Sequence, residues 1–258
     1  MRDILYIVMP AYNEEENIED AVNAWYHVLE GKPEDSRLIV ADSGSTDGTH
    51  EILCAMQKNL PQLELLTDTR KEHGPKVLAL YRHAIKNGAA YIFQTDSDNQ
   101  TDPDEFPAFW EKREAYDGIF GNRTVRGDGK ARDFVEKVVC LLLRVFFAVS
   151  IPDANAPFRL MRAGCLERYL KKLPEDYNIP NIMLTTYFVR YGEKTEFIEI
   201  SFKARRRGEN SIQVWKITKI GWKALKDFAA FRRDMQNDEH RKVLWDWPLQ
   251  GRKNESSE

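Results

Sequence analysis

Cysteine is scarce in this chain of 258 residues, and Cys54, Cys140 and Cys165 lie far apart with no CxxC spacing. That scarcity leaves no basis for a disulfide framework or a thiolate zinc site, and it points to a reducing compartment. Long hydrophobic runs are missing too: nothing approaches the roughly 18 apolar residues of a membrane span. The opening MRDILYIVMP is too short, and too promptly ended by Pro10, to act as a signal h-region. Glycosylation-like triplets start at Asn99, Asn122 and Asn254, but without such a leader they are expected to stay unmodified. Neither charge sign dominates, since 38 Lys and Arg face 41 Asp and Glu for a net charge of −3, which argues against a nucleic-acid partner. No internal repeat or low-complexity linker is evident. A cytoplasmic protein is expected, with peripheral contact at the inner face of a membrane left open.

What is present is an ordinary soluble composition, 42% hydrophobic and 31% charged, long enough for one large domain or a compact pair. In the first half, ILYIVM (4 to 9), RLIVA (37 to 41), LELLT (63 to 67), YIFQT (91 to 95) and GIFG (118 to 121) alternate with amphipathic segments. Such alternation predicts βαβ units and an α/β fold with a mostly parallel sheet flanked by helices. Asn17 is placed to cap a helix over Ile18 to Leu29, Thr46 or Asp47 the next, and Gly88 to end the third. Asp102-Pro103 followed by Glu105 reads as a cap, a first helical position and a capping-box partner. Beyond residue 130 the pattern becomes mainly helical (130 to 149, 163 to 172, 178 to 191 and 211 to 236), with one strand at 197 to 202. KVVCLLLRVFFAVSI (137 to 151) is expected to be a core or packing helix, and VWKITKIGWKALKDFAAF (214 to 231) a surface-seeking amphipathic one.

Ligands of open parallel sheets bind at the carboxyl ends of the strands, where helix N-termini also point. The first strand ends in Tyr12, Asn13 and Glu14, the second in Asp42, Ser43 and Ser45, the fourth in Asp96 and Asp98, and the fifth in Arg123. Each is an ordinary turn or cap residue alone. Together they mark one polar rim.

These segments, PAYNEEENI (10 to 18), ADSGSTDGT (41 to 49), TDSDNQTDP (95 to 103), GNR (121 to 123) and RRRGENS (205 to 211), resemble the family 2 glycosyltransferases of the GT-A fold. Within that family the chain looks most like the polyprenyl-phosphate (dolichyl-phosphate-type) branch. The carrying residues are Asp96, Asp98, Gln100 and Pro103; Gly121 and Arg123; Asp153 with Phe158, Arg159 and Leu160; and Arg205, Gly208 and Ser211. The resemblance implies a metal-dependent, inverting transfer from a nucleotide sugar, UDP- or GDP-linked, to a polyprenyl phosphate; the alternatives are transfer to a saccharide or glycolipid hydroxyl in polysaccharide assembly and, from a different class, a catalytically silent nucleotide-sugar-binding scaffold on the same fold. It divides the chain into a nucleotide-sugar-binding half at 1–125, an acceptor-side half at 126–247 and a flexible tail at 248–258.

By the same resemblance, Asp96, Asp98 and Gln100 hold Mg²⁺ or Mn²⁺, which neutralises the charge developing on the departing diphosphate. Pro10, Tyr12, Asn13, Glu14 and Ser45 line the base and ribose pocket, Asp42 accepts from the base, and Ser97 and Lys76 are placed to meet the donor. Arg123, Arg126, Arg132, Arg205 and Arg207, with Ser211, are expected at phosphate oxygens, where a guanidinium fork gives bidentate contact. A hydroxyl acceptor would need a base, for which Asp176 is the first candidate and Asp153 the second. A phosphate acceptor, already largely dianionic at neutral pH, would need none.

Overall fold

Strand β1 (Leu5–Ala11) is buried at every position, as a run without polar alternation must be when both faces of a sheet are covered. The computed structural model describes residues 2–126, 130–203 and 224–238, and the side chains of 125–134 lie outside that description. Beside β1 lie β2 (Arg37–Asp42) and β4 (Tyr91–Gln94), both parallel to it, and β3 (Leu63–Leu66) is parallel to β2. Strands β5 (Gly118–Arg126), β6 (Arg159–Arg162) and β7 (Thr195–Phe202) complete a seven-stranded sheet of order β3-β2-β1-β4-β6-β5-β7. The expected α/β class with a mostly parallel sheet is therefore observed. Its one reversed strand, β6, runs antiparallel to both β4 and β5, so β5 points the same way as β4. The carboxyl ends of β1, β2, β4 and β5 thus share one edge with the start of β6.

Helices α1 (Ile18–Tyr26), α2 (Thr49–Gln57), α3 (His73–Lys86), α4 (Phe106–Glu111), α5 (Lys130–Phe147), α6 (Ala163–Leu170) and α7 (Pro180–Arg190) flank the sheet. Their ends correct two expectations. Asn17 occupies the cap position of α1, but its amide donates to Glu14 Oε2 at 2.8 Å rather than accepting from the helix. Glu105 does not close a capping box; its Oε1 accepts from Ser201 N at 2.9 Å, reaching across to β7. Asp47 and Asp102 do serve helix starts, accepting from Thr49 N and Asp104 N. Gly88, at φ +85°, takes the left-handed turn that ends α3.

Phe93 on β4 anchors an aromatic core, with Trp25, Phe106 and Phe158 around it at ring separations of 5.2, 5.0 and 4.7 Å. The latter two meet it edge to face, the arrangement ring quadrupoles favour. At the rim, a Cβ on Gly74 would fall 2.4 Å from the carbonyl oxygens of both Tyr177 and Asn178, so only glycine lets the first turn of α3 meet the loop that carries Asp176.

The chain divides into two units, Met1–Arg144 with Ala148–Gly208, and Val145–Phe147 with Glu209–Glu258. The first contains the whole sheet. In the second, a helix covers 224–238, and Phe228 packs on Phe146 and Phe147 at 6.0 and 5.6 Å. The rest of the helix expected over 211 to 236, and the tail at 248–258, lie outside the described residues.

Candidate active site

The segments after β1 and β2 are stitched together. Asn13, held at φ +53°, accepts from Thr46 N through Oδ1 at 2.8 Å, and its own N–H donates to Ser45 Oγ at 3.0 Å. Glu14 N donates to Thr49 Oγ1 at 2.8 Å, and Glu15 bridges to Asp47 Oδ2 and Gly48 N. Asn13 and Ser45 therefore shape the rim as well as line it. Asp42, only 4% exposed, accepts from Ser45 Oγ through Oδ1, while its Oδ2 lies 3.1 Å from His50 Nδ1. An ionised carboxylate has about four lone-pair sites, so it keeps acceptor capacity for a ligand.

Lys76 is a core residue, 1% exposed. Its Nζ donates to Ala11 O at 2.6 Å and Ser43 O at 3.3 Å, tying the ends of β1 and β2 to α3, and lies 5.6 Å from the Tyr12 ring centre. Lys71 covers the same ring at 4.6 Å. Burial pushes the Lys76 ammonium down from its ordinary 10.5 to about 8, with Asp42 opposing the shift. The unfolded chain thus holds that proton over a pH window in which the folded chain has released it, and stability gains wherever the unfolded state binds more protons. Relative to Lys76→Met, the wild type should therefore grow more stable as pH rises from about 8 towards 10.5, read by urea unfolding at both ends of the window. A difference that shrinks with pH would show that burial does not control this proton.

The acidic turn after β4 is held independently of any ligand. Ser97 Oγ donates to Pro10 O at 3.0 Å, and Asn99, at φ +57°, donates to Asn17 O at 3.0 Å. Gln100 clasps Lys203 twice: its Nε2 donates to Lys203 O and its own O accepts from Lys203 N, both at 2.8 Å. Lys203 Nζ adds a 2.6 Å contact to Asp102. Asp96 and Asp98 are half-buried; Asp96 Oδ1 lies 3.4 Å from His73 Nε2 at the start of α3, and Asp98 Oδ1 accepts from Gln100 N at 3.2 Å. The helix dipole of α3 thus opens beside the carboxylates.

Arg123 and Asp153 meet each other. The guanidinium grips the carboxylate in two places, Nε to Oδ2 at 2.6 Å and a terminal nitrogen to Oδ1 at 2.8 Å, with Glu136 at 3.7 Å and the Phe202 ring at 5.0 Å. Both residues are buried, so the fork expected at a phosphate and the carboxylate expected as second base are committed to one another in this arrangement. Asp176 stands exposed on the loop against α3. Arg126 ends β5 and Arg132 lies in α5, both without described side chains, while Arg205, Arg207 and Ser211 lie outside the described residues.

Two residues of the rim escaped sequence reasoning, Lys203 and His50, and Arg159, which carried part of the resemblance, proves to be an interior residue. Arg159 is fully buried, donates to the carbonyls of Ala154, Ala156 and Asn181, and has its proton affinity lowered by burial.

The bactoprenol glucosyl transferase of Shigella phage SfV is 27% identical over 230 residues, 87% of this chain and 72% of that protein. The undecaprenyl-phosphate 4-deoxy-4-formamido-L-arabinose transferase of Shewanella sediminis is 23% identical over 81% of this chain, which spans 61% of that relative's length. Among solved structures, glucosyl-3-phosphoglycerate synthase from Mycobacterium tuberculosis in complex with Mn²⁺ and UDP-glucose superposes with a TM-score of 0.64 at 18% identity, over 88% of this chain and 79% of that one. That neighbour shares the GT-A fold. The glycosyl transferase family 2 model matches residues 6–170, from β1 to the end of α6, and the chain belongs to that family.

Proposed function

We propose that this glycosyltransferase moves a sugar, with inversion, from a nucleotide sugar to a polyprenyl phosphate, using Mg²⁺ or Mn²⁺ at the acidic turn. The observation that carries this reading is the meeting on one rim of the Asp96 to Asp98 turn with Asp42 and the buried Lys76. The acceptor class is supported by the relatives named for bactoprenol and undecaprenyl phosphate.

The donor set fits a hard cation. Asp96 and Asp98 offer carboxylate oxygens, and Gln100, whose amide nitrogen is taken by Lys203, leaves its oxygen for a ligand. Among the described residues no group of three or more His, Cys, Asp or Glu is arranged to hold an ion. Few protein ligands suit a cation that keeps water and takes phosphate oxygens from its substrate. Bound there, the ion would neutralise charge on the leaving diphosphate.

The chain's own groups have separate tasks in this reading. Asp42 accepts an imide N–H of uracil or guanine, with Tyr12 beside it, while Lys76 and Ser97 keep the strand ends in register beneath the donor. Pro10, Asn13, Glu14 and Ser45 form the pocket wall. Arg126, Arg132, Arg205, Arg207 and Ser211 are assigned to phosphate oxygens, and Arg123 to holding the rim through Asp153. A polyprenyl phosphate needs no base, so Asp176→Asn should change its rate by less than about threefold, yet slow transfer to a sugar hydroxyl by on the order of a hundredfold. Initial rates with both acceptors check this.

Helix α5 supports contact with a membrane surface. Val135, Val138, Leu141 and Val145, at spacings of three and four, are 36, 38, 60 and 64% exposed, so the helix that includes the segment expected to be a core or packing helix leaves these apolar side chains open. No helix among the described residues is long and apolar enough to cross a membrane. Leu141→Glu should weaken co-sedimentation with vesicles carrying polyprenyl phosphate by about tenfold or more, the worth of one buried leucine side chain. The reading as a whole is tested by a panel of nucleotide sugars assayed with and without polyprenyl phosphate. Lipid-linked product lost in excess chelator is expected; transfer to saccharides alone would overturn the acceptor assignment.

A further inference from the structure

Behind Asp42 lies a second cluster that the transfer reaction does not use. His50 and Cys54 stand one turn apart on α2, so their side chains share a face. His50 Nδ1 is 3.1 Å from Asp42 Oδ2, and its Nε2 is 3.5 Å from Cys54 Sγ. An ionised carboxylate can only accept, so Nδ1 carries the hydrogen, and in the neutral imidazole Nε2 is then the acceptor facing the thiol. Ser45 fixes Asp42 from the other side, which holds the imidazole against rotation. Nucleophile, base and orienting carboxylate therefore stand in the order that activates a thiol.

The other two cysteines are built differently. Cys165 is buried, and Cys140 faces the Glu136 carboxylate and Pro152 O rather than an imidazole; burial pushes both thiols up to about 12. Cys54, like Cys140, is partly exposed, and the His50 side chain beside it is 46% exposed.

We propose that Cys54 is a modification site that exchanges with small-molecule disulfides, with His50 accepting its proton and Asp42 positioning His50. Sγ attacks one sulfur of the disulfide; the Sγ–S bond forms as the old S–S bond breaks, and the departing thiolate takes the proton that passed from Cys54 to Nε2. One mixed disulfide and one free thiol result, with no further oxidant. The added group displaces the imidazole from Asp42. This consequence rests on the rim reading above: it weakens nucleotide binding at Asp42.

The test treats the intact protein with glutathione disulfide at neutral pH and maps adducts by mass over time. Cys54 should be labelled at least about tenfold faster than Cys140 or Cys165, and His50→Gln should slow Cys54 by about tenfold while leaving the other two unchanged. Even labelling of the three thiols, or an unchanged Cys54 rate in His50→Gln, overturns the proposal. Affinity for UDP and GDP is then measured before and after labelling. A several-fold weakening reversed by dithiothreitol, and absent in Cys54→Ser, is expected; unchanged affinity overturns the link to Asp42. Protein that binds neither nucleotide before labelling overturns the rim reading instead, and the labelling rates still decide the thiol.

Discussion

Asp98→Ala is expected to lower glycosyl transfer by on the order of a thousandfold, while its urea unfolding stays within about 1 kcal/mol of the wild type. The two halves of that expectation come from different observations. The turn that carries Asp98 is held by Ser97 on Pro10, Asn99 on Asn17 and the Gln100–Lys203 clasp, none of which involves the Asp98 carboxylate. Within the turn itself the Asp98 carboxylate accepts from Gln100 N, and the substitution removes that local acceptor. What it removes from the proposed chemistry is a charged ligand of the cation, and with it the neutralisation of the leaving diphosphate. Asp98→Asn, which keeps the shape and the acceptor, should be nearly as inactive. Full activity of either variant, or of the wild type in excess chelator, would defeat the metal assignment.

Asp153→Ala should act in the opposite sense, through stability. Removing one partner of a buried ion pair leaves an uncompensated charge inside the protein and costs roughly 3–5 kcal/mol. Arg123 has 5% of its side chain exposed, and among the described residues it would keep only the longer ion pair to Glu136 at 3.7 Å. Asp153 also accepts from Arg123 N and Asn155 N, so its loss frees backbone donors as well. Replacing both members, as Arg123→Met with Asp153→Leu, should recover much of the loss, because a volume-matched apolar pair avoids desolvating charge. A base would behave otherwise: Asp153→Ala would then unfold at the wild-type urea midpoint and fail only in turnover.

Much of the architecture was legible because apolar runs such as LYIVMPA and RLIVAD are long enough to declare buried strands, and the polar residues that end them fall on the rim by the rule for parallel sheets. Strand β6 was not legible. Its sequence RLMR has a charge at each end, and the Arg159 charge is met by carbonyl oxygens and Thr185 Oγ1, which no hydropathy pattern announces. Lys76 shows the same limit at the site. A lysine in the first turn of a helix reads as solvated, and the atoms that bury it, Ala11 O and Ser43 O, are backbone groups brought there by two other strands. Arg123 and Asp153 were each singled out as ligand-facing, and their pairing across 30 residues is a tertiary fact.

The clasp between Gln100 and Lys203 also has a kinetic meaning. Lys203 leads directly into the Arg205 to Ser211 segment, so covalent geometry alone keeps the Arg205 Cα within about 7 Å of the Lys203 Cα, and that of Arg207 within about 14 Å. If Arg205 and Arg207 act on phosphate oxygens as proposed, so short a tether makes their encounter with an anion held at the acidic turn intramolecular. Lengthening that tether by a few glycines would dilute the arginines without removing a single charge.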